Sequence, residues 1–442
     1  MNIQLSDHFN YIKLLRFTLP SVVMMVFTSI YGVVDGFFVS NFVGKTPFAA
    51  VNFIMPFLMI LGAIGFMFGS GGGALIAKTM GEGRSEKANE LFTLFVYVTL
   101  AVGIAVAALG IIFIRPIAIA LGADGEMLEN CVLYGRIILI ALPVLMLQYE
   151  FQTYFIVAGK PQLGLAVTVV AGIANMVLDA LFMAVFDWGV IGAAVATATS
   201  QLIGGIAPMF YFGCKNSSSL QLGKTHFDAR ALRNACINGS SELMSNISMS
   251  IVGMLYNAQL LKYAGENGVA AYGVIMYVSF VFISIFIGYS TGSAPIVSFH
   301  YGASNYQELK NLRKKSIMII ACSSVLMFLL AIILASPLSS IFVGYDKALF
   351  ELTERAFLIY SFSFLFAGIA IYGSSFFTAL NDGLISALIS FLRTLIFQIA
   401  AVIFFPLIWD IDGIWISIVA AEVMAVIVTV GFLIAKRKKY KY

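Results

Sequence analysis

Residues 30–42 read IYGVVDGFFVSNF, a run of apolar, aromatic and small side chains with one carboxylate, Asp35, at its centre. The meaning of that carboxylate depends on the solvent around the run, and the rest of the chain names the solvent. Of the 442 residues, 60% are hydrophobic and 11% charged, with a mean hydropathy of +0.96. Stretches nearly free of charge and long enough to cross about 30 Å of hydrocarbon need roughly 20 residues each. Twelve occur, with cores at 17–42, 50–77, 91–114, 132–158, 162–186, 190–213, 236–261, 270–299, 316–343, 356–380, 384–408 and 411–435. In hydrocarbon each backbone N–H and C=O must be satisfied within the segment, so these spans are expected to be α-helices. An outer-membrane barrel would show short alternating strands instead. The expected fold class is therefore an all-α integral membrane protein with twelve transmembrane helices.

Met1–Tyr11 lacks a positively charged region leading into a short apolar run and a small-residue cleavage site, so the first span is expected to stay in the membrane. Lys and Arg are enriched in cytoplasmic loops. With the N-terminus inside, the inner segments hold 19 of the 26 basic residues, from Lys13, Arg16 and Lys78 to the tail KRKKYKY. The outer ends hold six (Lys45, Arg115, Arg136, Lys262, Lys347 and Arg355), and Arg393 stands alone inside a span. Both termini are thus expected to be cytoplasmic, in the plasma (inner) membrane of a prokaryote. The net charge of +4 is spread over inner loops and a short tail, which reads as topology and not as a nucleic-acid surface. The four cysteines (Cys131, Cys214, Cys236, Cys322) have neither disulfide nor metal spacing, and His8, His226 and His300 lie at the inner side without a partner pattern.

Sliding the chain against itself gives a persistent match at an offset of 221, half its length. Ser29-Ile30 falls on Ser250-Ile251, Gly44 on Gly265, Gly81 on Gly302, Pro116 on Pro337 and Gly192 on Gly413. Duplication into 1–221, carrying helices one to six, and 222–442, carrying seven to twelve, is the expected domain organisation. An even number of spans per copy inserts both in the same orientation, related by a pseudo-two-fold axis along the membrane normal. In duplicated transporters the substrate site lies between the copies, and rocking of one against the other alternates its access.

A carboxylate at mid-membrane costs about 2.5–3.5 kcal/mol on insertion scales, so each one is a functional candidate. The intramembrane charged residues are Asp35, Glu150, Asp179, Glu242, Arg393 and Glu422. Asp35 and Asp179 each lie seven residues before the outer end of a span, and Thr197 about seven inside the next. At 1.5 Å per residue all three sit roughly 10 Å below the outer surface. Asn175 and Tyr31 precede the two aspartates by four residues, on the same helix faces. Such oxygen groups suit a hard cation, Na⁺ on Asp35, Asn175 and Asp179, and two close carboxylates can also hold a proton between them. At the repeat offset their partners are Tyr256, Ile396, Ala400 and Ile418, so the second half lacks the set. Glu150 and Glu242 lie deeper toward the inner side. Arg393 and Glu422 are expected to pair as a structural ion pair, and Glu242 has no cation at its depth. GSGGGAL, residues 69–75, lacks the Lys-Ser/Thr ending of a phosphate loop and reads as a close helix-packing stretch.

With twelve spans in two parallel halves and Pro20 fifteen residues before Asp35, the chain resembles the multidrug and toxic compound extrusion (MATE) transporters over essentially its whole length. Asn175 and Asp179 in the fifth span and GVIGAAVATATS (189–200) in the sixth are similar to the prokaryotic DNA-damage-inducible-type branch. The resemblance implies Asp35, Asn175, Asp179 and Thr197 as coupling-ion residues, Tyr31 and Tyr134 as cavity neighbours, and Pro20 as the bend of the first helix. It implies antiport of organic, often cationic and amphipathic, compounds against H⁺ or Na⁺ by a V-shaped pair of six-helix bundles. The acidic residues that another branch places in spans seven and ten have no clear match here. No cofactor beyond the coupling ion is expected, and the partners are small organic substrates and the lipid bilayer, with the protein acting as a monomer. The alternative is a lipid-linked oligosaccharide flippase of the same superfamily, although only Arg393 offers a cation within a span. An intramembrane enzyme is disfavoured, because the histidines are peripheral and no Ser/His or metal-ligand set lies inside.

Single cysteines placed in the 213–233 loop of a cysteine-free variant should label only from the cytoplasm, and one at Gly125 only from outside. Membrane-impermeant maleimide applied to intact cells and to inverted vesicles checks this.

Overall fold

The computed structural model describes residues 3–43 and 45–442; Met1, Asn2 and the repeat landmark Gly44 lie outside them. Helix α1 is Tyr11–Phe42, continuous through Pro20. The rest of the first lobe is α2, Thr46–Gly81; α3, Ser85–Leu121; α4, Gly125–Val157; α5, Pro161–Val185; and α6, Gly189–Gly213. The second lobe opens with a continuous hydrogen-bonded stretch, Ala229–Gly302, of 74 residues. At 1.5 Å per residue that would be roughly 110 Å, several times a bilayer. Gly265 divides it, at φ 60° and ψ −152°, a conformation essentially reserved for glycine, into α7 (229–264) and α8 (266–302). Then follow α9, Tyr306–Val343; α10, Lys347–Ser361 and Phe364–Ala379, bent by 49° at the break; α11, Gly383–Phe404; and α12, Pro406–Ala435. The twelve expected spans are thus all present among the described residues.

Three spans contain one turn of π-helix: Phe68–Gly72 in α2, Ala180–Val185 in α5 and Leu392–Ile396 in α11. Each stands beside an intramembrane charge. The second directly follows Asp179, the third contains Arg393, and the first lies on the backbone of Glu150, where a Cβ built on Gly69 would stand 3.1 Å from the Glu150 Cα. A π-turn inserts a residue into the helix and re-aims the side chains around it, which is why such turns collect at functional positions.

The first lobe has two apolar cores, one toward each membrane face, and the second lobe has one continuous core. The second-lobe core also takes in Leu5 and Phe9 from the N-terminal segment, with Leu14 and Phe17 from the start of α1. That segment is strapped to α9: the Phe9 N–H and the His8 ring bond Glu308 at 3.0 and 2.6 Å, while Asn311 and Lys315 donate to the Phe9 carbonyl. A partner for His8 was not foreseeable from spacing, since Glu308 lies 300 residues away in the chain.

The lobes meet in the membrane half nearest the termini, called here the basic face. Their contact there is backbone on backbone. A Cβ on Gly71 would stand 2.1 Å from the Ala235 carbonyl oxygen of α7, and one on Gly239 would stand 1.9 Å from that of Met67. Gly81 and Gly302 make the same approach between α2 and α8, each 2.0 Å from a carbonyl oxygen. The GSGGGAL stretch is thus a helix-packing surface, as expected. In the other membrane half, Gly32, Gly36, Gly253 and Gly273 have no such neighbour. The two lobes are therefore in backbone contact toward the basic face, while these four glycines of the opposite half border open space.

Gly239→Ala should cost about 1–3 kcal/mol through overpacking and lower the unfolding midpoint measured by thermal denaturation in detergent. Gly253→Ala, with open space around it, should leave the midpoint unchanged or higher.

Candidate functional site

Asp35 comes from α1, Tyr134 from α4, Asn175 and Asp179 from α5 and Thr197 from α6, and these helices bring their polar groups together in the first lobe. The Asp35 and Asp179 carboxyl groups interact with each other and with the Tyr134 hydroxyl, which also faces Thr197. Tyr31, one turn before Asp35, faces it from the same helix. Asn175 and Asp179 are fully buried. Asp35 Oδ1, both oxygens of Asp179, Asn175 Nδ2 and Thr197 Oγ1 are all shielded from solvent without a hydrogen-bond partner. Buried polar groups are ordinarily paired, so this convergence of five unpaired atoms sets the cluster apart as a candidate site. No group of three His, Cys, Asp or Glu occurs among the described residues. An ion here would be held by two carboxylates completed by neutral groups, a set that suits a proton or a small hard cation.

Beside this cluster lies a lining that spacing did not single out. Phe66 stacks on Tyr149 at 4.0 Å between ring centroids, and Phe27 tilts against Tyr31 at 6.0 Å. The Tyr149 and Tyr134 hydroxyls approach the Met59 and Met55 sulfurs at 4.0 and 3.9 Å. A Cβ on Gly172 would stand 2.5 Å from the Phe27 ring, so glycine there lets α1 and α5 close together. In a chain with 39 Phe and 19 Met, composition could not separate these rings from the many that face lipid.

The second lobe is satisfied where the first is open. Tyr256, at the repeat position of Asp35, donates to Gln398 Oε1 at 2.7 Å and stacks on Tyr272 at 5.5 Å. The expected pair forms: Arg393 Nε donates to both oxygens of Glu422, at 3.1 and 2.9 Å, with the side chains only 16% and 7% exposed. Glu242 is half-buried, and among the described residues nothing forms an ion pair with it. Glu150 is fully buried, away from the Asp35–Asp179 cluster, with both oxygens unpaired.

Twelve membrane-spanning helices in two lobes, carrying polar groups within the spans, define the architecture of a duplicated membrane transporter. The MatE family model matches the chain twice, over residues 20–181 and again over 243–404, and the chain belongs to this family, the multidrug and toxic compound extrusion transporters. Its relatives include the multidrug export protein MepA of Staphylococcus saprophyticus, 24% identical over 362 residues covering 80% of each chain. MepA of Staphylococcus aureus is 24% identical over 364 residues, again covering 80% of each. The fold is shared with an outward-facing multidrug resistance MATE family transporter of the MOP superfamily, at a TM-score of 0.93 and 22% identity over 98% of this chain and 97% of that one. It is shared equally with a MOP superfamily transporter from Pyrococcus furiosus, described as having a binding pocket of reverse polarity, at a TM-score of 0.92 and 21% identity over 98% of each chain.

Arg393→Met should cost about 3–5 kcal/mol by leaving Glu422 buried without its partner. The double variant Arg393→Met/Glu422→Leu should recover most of that loss, as read from a double-mutant cycle of thermal unfolding.

Proposed function

We propose that this protein is a secondary antiporter that exports organic, cationic amphipathic compounds in exchange for H⁺ or Na⁺, with Asp35 and Asp179 as the shared ion site. The observation that carries the reading is the Asp35–Asp179 carboxylate pair, three of whose oxygens are shielded without a hydrogen-bond partner, beside an aromatic and thioether lining. Aromatic faces attract organic cations through the ring quadrupole, and methionine sulfur adapts to varied shapes. The two MepA relatives, named as multidrug export proteins, support export as the direction.

In this reading both termini are cytoplasmic, the basic face is the inner one, and the open side of the cleft faces outside. An ion entering from outside neutralises the carboxylate pair, weakens its attraction for the bound organic cation and releases it. The lobes then rock, the ion leaves inward, and the recharged pair can take a new substrate. Each elementary charge falling through 100 mV supplies about 2.3 kcal/mol, which corresponds to roughly fifty-fold accumulation per ion. One ion per cycle is enough for useful export. The flippase alternative loses support because Arg393, the cation near the middle of its span, is already engaged by Glu422.

Asp35→Asn and Asp179→Asn should each abolish gradient-driven efflux from proteoliposomes while the protein still inserts and folds, with Asn175→Ala and Thr197→Ala weakening it less. Imposing a pH gradient alone and then a Na⁺ gradient alone identifies the ion. Substrate and ion that compete through one site lower each other's affinity by the same factor. If purified Asp35→Asn protein lost substrate affinity on adding H⁺ or Na⁺ as steeply as the parent, the coupling site would lie elsewhere.

A further inference from the structure

Glu150 takes no part in the site just described. Its carboxyl group is fully buried and neither oxygen has a hydrogen-bond partner. The groups that face it are the Tyr154 hydroxyl, one turn on in α4, and the Thr99 hydroxyl of α3. The Tyr154 hydroxyl is spent on the Phe68 carbonyl at 3.1 Å, and Thr99 Oγ1 has no hydrogen-bond partner of its own. Around them the rings of Phe68, Phe92, Phe95 and Phe151 belong to one apolar core. Tyr154 is the sole titratable group facing Glu150 among the described residues of the helices packed there. An ionised carboxylate in such surroundings would have no counter-charge among the described residues, and the Tyr154 and Thr99 hydroxyls alone to replace its hydration.

The second observation is what stands between this carboxyl group and the other lobe. The π-turn Phe68–Gly72 lies with Gly69 on the Glu150 backbone and Gly71 on the α7 backbone, where a Cβ would stand 2.1 Å from the Ala235 oxygen and 2.5 Å from the Gly239 nitrogen. One five-residue turn therefore separates the acid from the seal of the basic face. Any motion that opens that face parts Gly71 from α7 and brings water to the turn behind which Glu150 lies.

We propose that Glu150 is a second proton-binding site, built into the basic-face gate and distinct from the Asp35–Asp179 pair. While the face is sealed the carboxyl group keeps its proton. When the face opens, the Glu150 O–H bond breaks to water, giving a hydrated carboxylate and a hydronium ion in the solution at that face; resealing requires the reverse step. The open state is thereby favoured by low proton concentration at the basic face. This inference rests on the antiport reading for its place in the cycle, but the gate can be measured without transport.

Cys236, the residue after Ala235 on α7, packs at the edge of the same core and reports the gate. In a variant retaining only this cysteine, with the other three replaced by serine, its maleimide labelling rate is followed against pH and corrected for thiol ionisation with the unfolded protein. The parent should show labelling that rises with pH by up to about tenfold per unit across the titration, the slope of one released proton. Glu150→Gln should be slow and flat, Glu150→Asp should keep the slope, and Thr99→Val should displace its midpoint. Size-exclusion chromatography and circular dichroism confirm that the variants fold. A parental slope in folded Glu150→Gln protein overturns the proposal. If that occurs while Asp35→Asn still abolishes efflux, only this inference falls; if Glu150→Gln flattens the slope while Asp35→Asn couples normally, the Asp35–Asp179 reading falls instead.

Discussion

In the hydrocarbon core of a membrane no water is available to satisfy a polar group, so each one must find its partner in the protein or hold a ligand. This constraint accounts for the twelve helices, whose backbones bond internally. It also gives the few intramembrane charges their weight. Arg393 and Glu422 answer it by pairing with each other, and Tyr256 by donating to Gln398. Asp35 and Asp179 do not answer it within the protein. The two lobes thus share one scaffold while differing in how the positions of Asp35 and its repeat partner Tyr256 are satisfied. That difference is the reason the proposed ion site lies in the first lobe.

The same constraint shapes how the lobes touch. Their seal at the basic face is made by glycine backbones in van der Waals contact, with no ion pair across it at Gly71, Gly239, Gly81 or Gly302. Contacts of this kind gain dispersion energy over a close fit and lose it within a small separation. If the lobes part and rejoin as in the antiport cycle proposed above, such an interface breaks no ion pair at these glycines. The N-terminal strap adds a different link. Phe9 and His8 tie the segment before α1 to Glu308 of the second lobe, so the helix carrying Asp35 is anchored to one lobe and packed within the other.

The π-turns connect these two themes. Each replaces an ordinary helical turn beside a charge, and each costs hydrogen-bond geometry that a purely structural helix would keep. In α5 the turn begins at the residue after Asp179, and in α2 it fits between Glu150 and the lobe interface. At Asp179 and Glu150 the π-turn coincides with unpaired carboxylate oxygens, whereas Arg393, inside the third, is paired with Glu422.

Hydropathy was sufficient for the span count, because the bilayer imposes a fixed length on each helix, and the self-match at an offset of 221 for the two halves. The Arg393–Glu422 pairing was also legible, since two opposite charges at similar depth in apolar surroundings have few other partners. What the sequence left open is everything that depends on which faces of different helices meet. Phe27, Phe66 and Tyr149 are indistinguishable in sequence from lipid-facing rings, and only packing sets them beside Asp35 and Asp179. The His8–Glu308 bond, the sealed basic face and the isolation of Glu150 behind a π-turn likewise arise from contacts between residues far apart in the chain. Local sequence determines how a helix lies in the membrane, whereas its rotation and neighbours are settled by the close packing of all twelve.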